Sequence, residues 1–285
     1  MVIEDWPWRA GRGVHCVARI RMLGVLLCYN DGDLLPDAIE YLLNQEHHLV
    51  VWDHGSTDGT AEVISSFKSH LLEVRNVPRE FDFYELYPAM SRHLIENYVP
   101  SYDWVSWPDQ DEILEGPART KSYRAWVEDV HDSPFNWVRF NNFNYWLTDR
   151  DQETVKSPLA RIRHYSLFQD CAPRIRAWRA SATNTRVFNH NPPAGLQWPV
   201  LFNLRHYSMR TREQMMGRLL RDRAGLRRGD SNYHYDNMKL NVERLAIPAE
   251  KLHYDDGQNE LNPLPIFDWR SIYGSGPPRT EPSSK

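Results

Sequence analysis

Cysteine is scarce: the 285-residue chain has three, Cys16, Cys28 and Cys171, an odd number without metal-ligand spacing. That excludes a disulfide framework and points to a reducing cytosol. Cys28 sits inside an apolar run and reads as core. Long apolar runs are missing too. No stretch approaches the roughly 20 apolar residues of a membrane-spanning helix. The first residues, M-V-I-E-D-W-P-W-R, carry no apolar signal-peptide region. The expectation is a soluble, cytoplasmic protein. Nor does one sign of charge dominate. With 34 Lys and Arg against 38 Asp and Glu the formal net charge is −4, which excludes a general polyanion-binding surface. No internal repeat is visible.

What is present is an ordinary soluble composition, 41% hydrophobic and 25% charged, in a chain long enough to bury a sizeable core. Eleven Trp and 14 Tyr serve either as core or as walls for sugars and bases.

The pattern along the chain predicts alternating strands and helices. Met22–Tyr29 is a near-continuous apolar run, the mark of a strand covered on both faces. Asp33 is placed to cap a helix that carries Leu34, Leu35, Ala38, Ile39, Leu42 and Leu43 at helical spacing. His48–Asp53 is a second buried strand. Gly55 and Gly59 then permit a tight turn, and Asp58 or Thr60 can cap the next helix. Leu72–Val77 is a third strand, and Leu86, Met90, Leu94, Ile95 and Tyr98 mark a helix leading to a fourth. This order predicts a largely parallel sheet with its strand ends on one rim. Beyond Leu114 the rhythm changes to a mixed half. A helix is predicted over Pro117–Val130, one or two half-exposed strands over Phe135–Leu147, and a strand over Leu201–Tyr207. Thr211 with Gln214 fits a capping box, and a further helix runs from Tyr233 to Leu245. The boundaries follow: an N-terminal arm at 1–21, a first half at 22–115, a second half of the same domain at 116–273, and a flexible tail at 274–285.

The chain is organised around D-W-V-S-W-P-D-Q-D-E-I-L at 103–114. Trp104–Trp107 has the composition of a buried strand, and Pro108 stops it. Three acids follow, Asp109, Asp111 and Glu112. If the segment is extended, Asp109 and Asp111 point the same way and converge on one hard divalent cation.

Three rim segments, C-Y-N-D-G-D, V-W-D-H-G-S-T-D-G-T and D-W-V-S-W-P-D-Q-D-E, occur in the order and spacing of the family-2-like glycosyltransferases of the GT-A fold, which the chain resembles over residues 22–115. Ser91-Arg92-His93 stands where that family carries A-R-N. N-H-N-P at 189–192 and L-R-H-Y-S-M-R-T-R-E-Q at 204–214 look like pieces of its second half. His54 departs from the usual Asn, and Gln110 from a small residue. The resemblance implies a metal-dependent sugar transfer from a nucleotide-sugar donor, with Mg2+ or Mn2+ as cofactor. It implies that Asp53 binds the nucleotide's base, with Asn30, Asp31, Ser56 and Arg92 at the donor. It places Asp109 and Asp111 on the metal and the diphosphate, and His206 as a third metal ligand. Glu112 and His190, with Asp149 and Asp170 behind it, are the choices for the base that deprotonates the acceptor.

From Arg205 to Arg228 eight arginines face two acids, a local net of +6. A solvated basic face accounts for that, and so does a phosphate clamp in which Arg218 and Arg221 hold the donor diphosphate or an anionic acceptor such as a lipid phosphate, a polymer or nucleic acid. Two other classes fit the acids less well: a non-catalytic descendant of the fold, and a metal-dependent phosphodiesterase or nuclease.

Overall fold

Seven residues in β1 (Met22–Cys28) are all buried, and this strand seeds the sheet. The fold is described from a computed structural model, which covers residues 19–81, 83–152, 155, 157–168, 173–184, 192–215 and 246–265. From β1 the chain enters α1 (Leu35–Asn44), β2 (His47–Asp53), α2 (Thr60–Phe67), β3 (Leu71–Asn76), α3 (Phe83–Asn97) and β4 (Trp104–Ser106). The four strands run parallel in the order β3-β2-β1-β4, each returning through a helix. The ends of β1, β2 and β4 therefore open on one rim, as the pattern of the first half predicts.

The second half extends the same sheet. β5 (Glu112–Glu115), α4 (Tyr123–His131), β6 (Trp137–Trp146), α5 (Pro158–Arg161), β7 (His164–Leu167), β8 (Arg174–Arg179), β9 (Phe202–Met209) and β10 (His253–Tyr254) follow in sequence. β8 lies antiparallel to β4, and β6 antiparallel to β8. β9 pairs with β6 in parallel and with β5 antiparallel, so the strand carrying His206 is drawn beside Glu112. Among the described residues one ten-stranded mixed sheet thus joins both halves.

Local chemistry explains where the sequence reading needs correction. The first helix begins at Leu35, with Leu34 in the cap position and no side-chain cap, because the Asp33 carboxylate is taken by Arg210. α4 starts at Tyr123, not at Pro117. Ser122 sets its start by accepting from the Ala125 N–H at 3.2 Å. The stretch 135–147 holds one strand, Trp137–Trp146, mostly buried and not half-exposed. Val138 and Phe140 join one core cluster while Phe143 and Tyr145 join another, so both faces of β6 are covered.

The arm at 1–18, His190, Asp170, Arg218, Arg221, most of the 216–273 stretch and the tail lie outside the described residues. Among those described, no helix is long and apolar enough to cross a membrane.

Candidate active site

Two loops close the rim above β1 and β2, and their polar side chains knit them together. Asn30, at φ +53, accepts from the Thr57 N–H through Oδ1 at 2.7 Å and donates to the Thr57 hydroxyl at 3.3 Å. The Ser56 hydroxyl accepts from the Asn30 N–H at 3.0 Å and donates to Asp53 Oδ1 at 2.5 Å. Asp53 also accepts from the Ser56 N–H at 3.2 Å, so Oδ1 shapes the turn. The cap residue of α2 is Gly59, not Asp58 or Thr60; Asp58, one residue earlier, accepts from the Thr60 N–H at 2.9 Å, and its other oxygen accepts from Gly32 N at 3.2 Å. His54, where the resemblance leads one to expect Asn, pins the segment at 79–81. Its Nδ1 meets Arg79 at 3.0 Å and its Nε2 meets the Phe81 carbonyl at 3.0 Å. Burial, and then Arg79, hold its pKa down, so it is neutral.

The acids after β4 sit on a turn, not on an extended segment. The Glu112 N–H donates to the Asp109 carbonyl at 3.0 Å, a four-residue turn in which side-chain direction no longer repeats every two residues. The alternation argument for Asp109 and Asp111 therefore fails, and the two carboxylates part. Asp109 Oδ2 lies 2.6 Å from Arg176 and 3.6 Å from Arg174. Asp111 turns the other way, with Oδ1 3.5 Å from His206 Nε2 and Oδ2 4.0 Å from Arg210. Glu112 is enclosed: both oxygens accept from Arg176, Oε1 also accepts from Arg174, and Oε2 accepts from the Asp109 N–H at 2.9 Å. Burial pushes the Asp109 carboxyl up against the pull of Arg176. Burial acts the same way on Glu112, but Arg176 and Arg174 overcome it and hold that carboxyl well below its usual range. Across the rim Arg210, fully buried, donates to Asp31, to both oxygens of Asp33 at 2.8 Å and to the Tyr207 carbonyl at 3.0 Å. Gln110 donates to the second oxygen of Asp31.

The metal set predicted from sequence is thus divided. Asp111 and His206 come together and Asp109 does not join them. Among the described residues no group of three His, Cys, Asp or Glu side chains converges as a cation site. The chemistry of the remaining pair still suits a metal. His206 Nδ1 lies 2.9 Å from Asn144 Oδ1, and its other ring nitrogen, Nε2, is the one that faces the Asp111 carboxylate. Mg2+ commonly uses one or two protein groups and takes its other ligands from substrate phosphate and water.

The sequence profile of Glycosyl transferase family 2 matches residues 25–213, more than half of the chain and every rim element just described. The chain belongs to that family. It is a glycosyltransferase, and its curled mixed sheet flanked by helices is a GT-A fold. Among solved structures, TarS of S. aureus, residues 1–349, aligns at 10% identity and a TM-score of 0.39, over 78% of this chain and 70% of that one. Glucosyl-3-phosphoglycerate synthase from Mycobacterium tuberculosis, in complex with phosphoglyceric acid, aligns at 18% identity and a TM-score of 0.31, over 59% and 62%. Among curated proteins no match is found.

For this glycosyltransferase the residues that sequence reasoning missed are the counter-charges. Arg174 and Arg176 lie on β8, more than sixty positions from the acids they hold, in a stretch with weak periodicity. Arg210 was visible only as one arginine in a basic run. Arg92, placed at the donor by the resemblance, is exposed on α3. On the same helix Tyr87 is stacked on Trp107 at 5.6 Å, near enough to the acids to feel their charge. Burial, then the charge of Asp109, pushes its phenol up. Asp149, behind His190 in the sequence reading, accepts from the Ala249 N–H at 3.1 Å and holds a chain crossing.

Proposed function

We propose that this glycosyltransferase moves a sugar from a nucleotide-sugar donor to an acceptor hydroxyl, and that Asp111 and His206 hold a Mg2+ or Mn2+ ion beside the donor diphosphate. The observation that carries the reading is the approach of His206 Nε2 to Asp111 Oδ1, 3.5 Å apart on the rim. An imidazole nitrogen and a carboxylate oxygen at that separation are both groups that one divalent cation accepts as ligands. When bound, the ion would supply Lewis-acid stabilisation of the charge on the departing nucleoside diphosphate.

The chain's own residues do the rest. Asp53 ends β2 on the same rim, and Oδ2 faces no protein partner among the described residues, which leaves that oxygen for the base. Asn30, Asp31 and Ser56 build the loops under the nucleotide. Arg176, at 2.6 Å from Asp109, holds that carboxylate apart from the Asp111–His206 pair. Glu112 is a positioning residue in this reading, because both of its oxygens are engaged by Arg176, Arg174 and the Asp109 N–H. His190 remains a base, and Arg218 and Arg221 a clamp for an anionic acceptor, on sequence alone. The division into a nucleotide half at 22–115 and an acceptor half at 116–273 belongs to the same proposal, as do the arm and the tail.

Asp111→Asn keeps shape and removes charge, so Mn2+-dependent binding of a nucleoside diphosphate should weaken by at least about tenfold, roughly 1.4 kcal/mol. Calorimetric titration of a panel of nucleoside diphosphates, with and without Mn2+, measures it. Equal Mn2+-dependent binding by mutant and wild type would remove the metal from Asp111.

A further inference from the structure

We infer that Asn144 is a positioning residue of the active site: its amide oxygen fixes His206 as the Nδ1–H tautomer and so presents the Nε2 lone pair to the Asp111 side. The inference deepens the proposed function, because its consequence for a metal rests on the ion sitting between Asp111 and His206.

Strand register places the two residues together. Asn144 on β6 is the parallel partner of His206 on β9, and His206 is in turn the antiparallel partner of Glu112 on β5. Side chains directly opposite in adjacent strands share a face, so Asn144, His206 and Glu112 form one polar row across the sheet. Asn144 is 5% exposed, and its Oδ1 is 2.9 Å from His206 Nδ1. A buried amide oxygen can only accept, which leaves the ring nitrogen to donate. Without that acceptor an uncharged histidine side chain reverts to its intrinsically favoured Nε2–H form, and a proton would then stand where a cation has to bind. Ligating histidines are commonly held this way, the second nitrogen donating to an oxygen that sets ring and tautomer. Asn supplies that oxygen without a second negative charge beside Glu112 and Asp111.

The tautomer can be read without metal and without turnover. In the metal-free full chain, at a pH where the imidazole is neutral, long-range nitrogen–proton correlation spectra should show His206 as Nδ1–H. Asn144→Asp keeps the acceptor and should retain that signature, whereas Asn144→Leu should move it to Nε2–H. Mn2+ affinity should fall roughly 10- to 100-fold in Asn144→Leu and stay within a few-fold in Asn144→Asp. Wild type found as Nε2–H overturns the inference even if the leucine variant does not fold, and so does a leucine variant that keeps Nδ1–H. A shifted tautomer with unchanged Mn2+ affinity overturns the positioning role. A wild type that shows Nδ1–H, loses it in the leucine variant and binds no Mn2+ upholds the tautomer assignment and instead overturns the metal reading of the site.

Discussion

At the Glu112 carboxylate two guanidinium groups and one backbone N–H meet an acid that has no exposed surface. Asp109 is a second carboxylate on the same two arginines, at 2.6 Å from Arg176 and 3.6 Å from Arg174. Glu112→Gln would leave the buried Arg176, and beside it Arg174, short of a counter-charge. Breaking one side of a buried ion pair costs about 3–5 kcal/mol. The expected outcome is a loss of that size in denaturant unfolding, with activity falling because the turn at Asp109–Glu112 loosens. A variant of wild-type stability that loses only turnover would return Glu112 to the role of base. Three acids within four residues are plain in a sequence, whereas the arginines that decide their roles arrive from β8, brought by strand pairing that no local pattern records.

Elements were more legible than side chains. Near-continuous apolar runs marked β1 and β2 because both faces of those strands are covered, by α3 on one side and by α1 and α2 on the other. β6 misled because its polar residues Asn142 and Asn144 are buried and not solvent-facing, Asn144 against His206 and Asn142 opposite Leu204. Turns were legible where glycine is obligatory. Gly55 follows β2 with φ +65, and a Cβ there would stand 3.2 Å from both the backbone nitrogen and Cβ of Arg79. Gly55→Ala should cost about 1–2 kcal/mol through the left-handed backbone alone. Because His54 and Ser56 flank it, nucleotide binding should weaken along with stability. Thermal unfolding and a nucleotide titration on one preparation check both, and an alanine variant equal to wild type in each would show that the loop adapts freely.

On the scale of the whole molecule, one carboxylate fastens the last described segment to the sheet. Asp255 follows β10 and is 3% exposed. It accepts two bonds from Arg119, at 2.7 and 3.1 Å, from a residue 136 positions earlier. Tyr145 on β6 donates to it at 2.5 Å and the Gly257 N–H at 2.8 Å, while Arg163 holds its carbonyl at 2.7 Å. Burial alone would push this carboxyl up, but Arg119, Tyr145 and Gly257 outweigh burial and hold it far below its usual range. The folded state therefore binds the proton more weakly than the unfolded state, whose Asp titrates near about 3.9. The stabilisation is complete above that value and is lost as pH falls through it toward the folded-state pKa. Asp255→Asn keeps size but cannot form the charged pair with Arg119, and it should destabilise the fold at pH 7 by roughly 3 kcal/mol. Unfolding midpoints of mutant and wild type at pH 7, 5 and 3 give the test. The gap should hold from 7 to 5 and shrink at 3, where the wild-type carboxylate begins to lose its advantage. A gap of constant size down to pH 3 would mean that Asp255 binds its proton equally well folded and unfolded, and the fastening would have to come from packing alone.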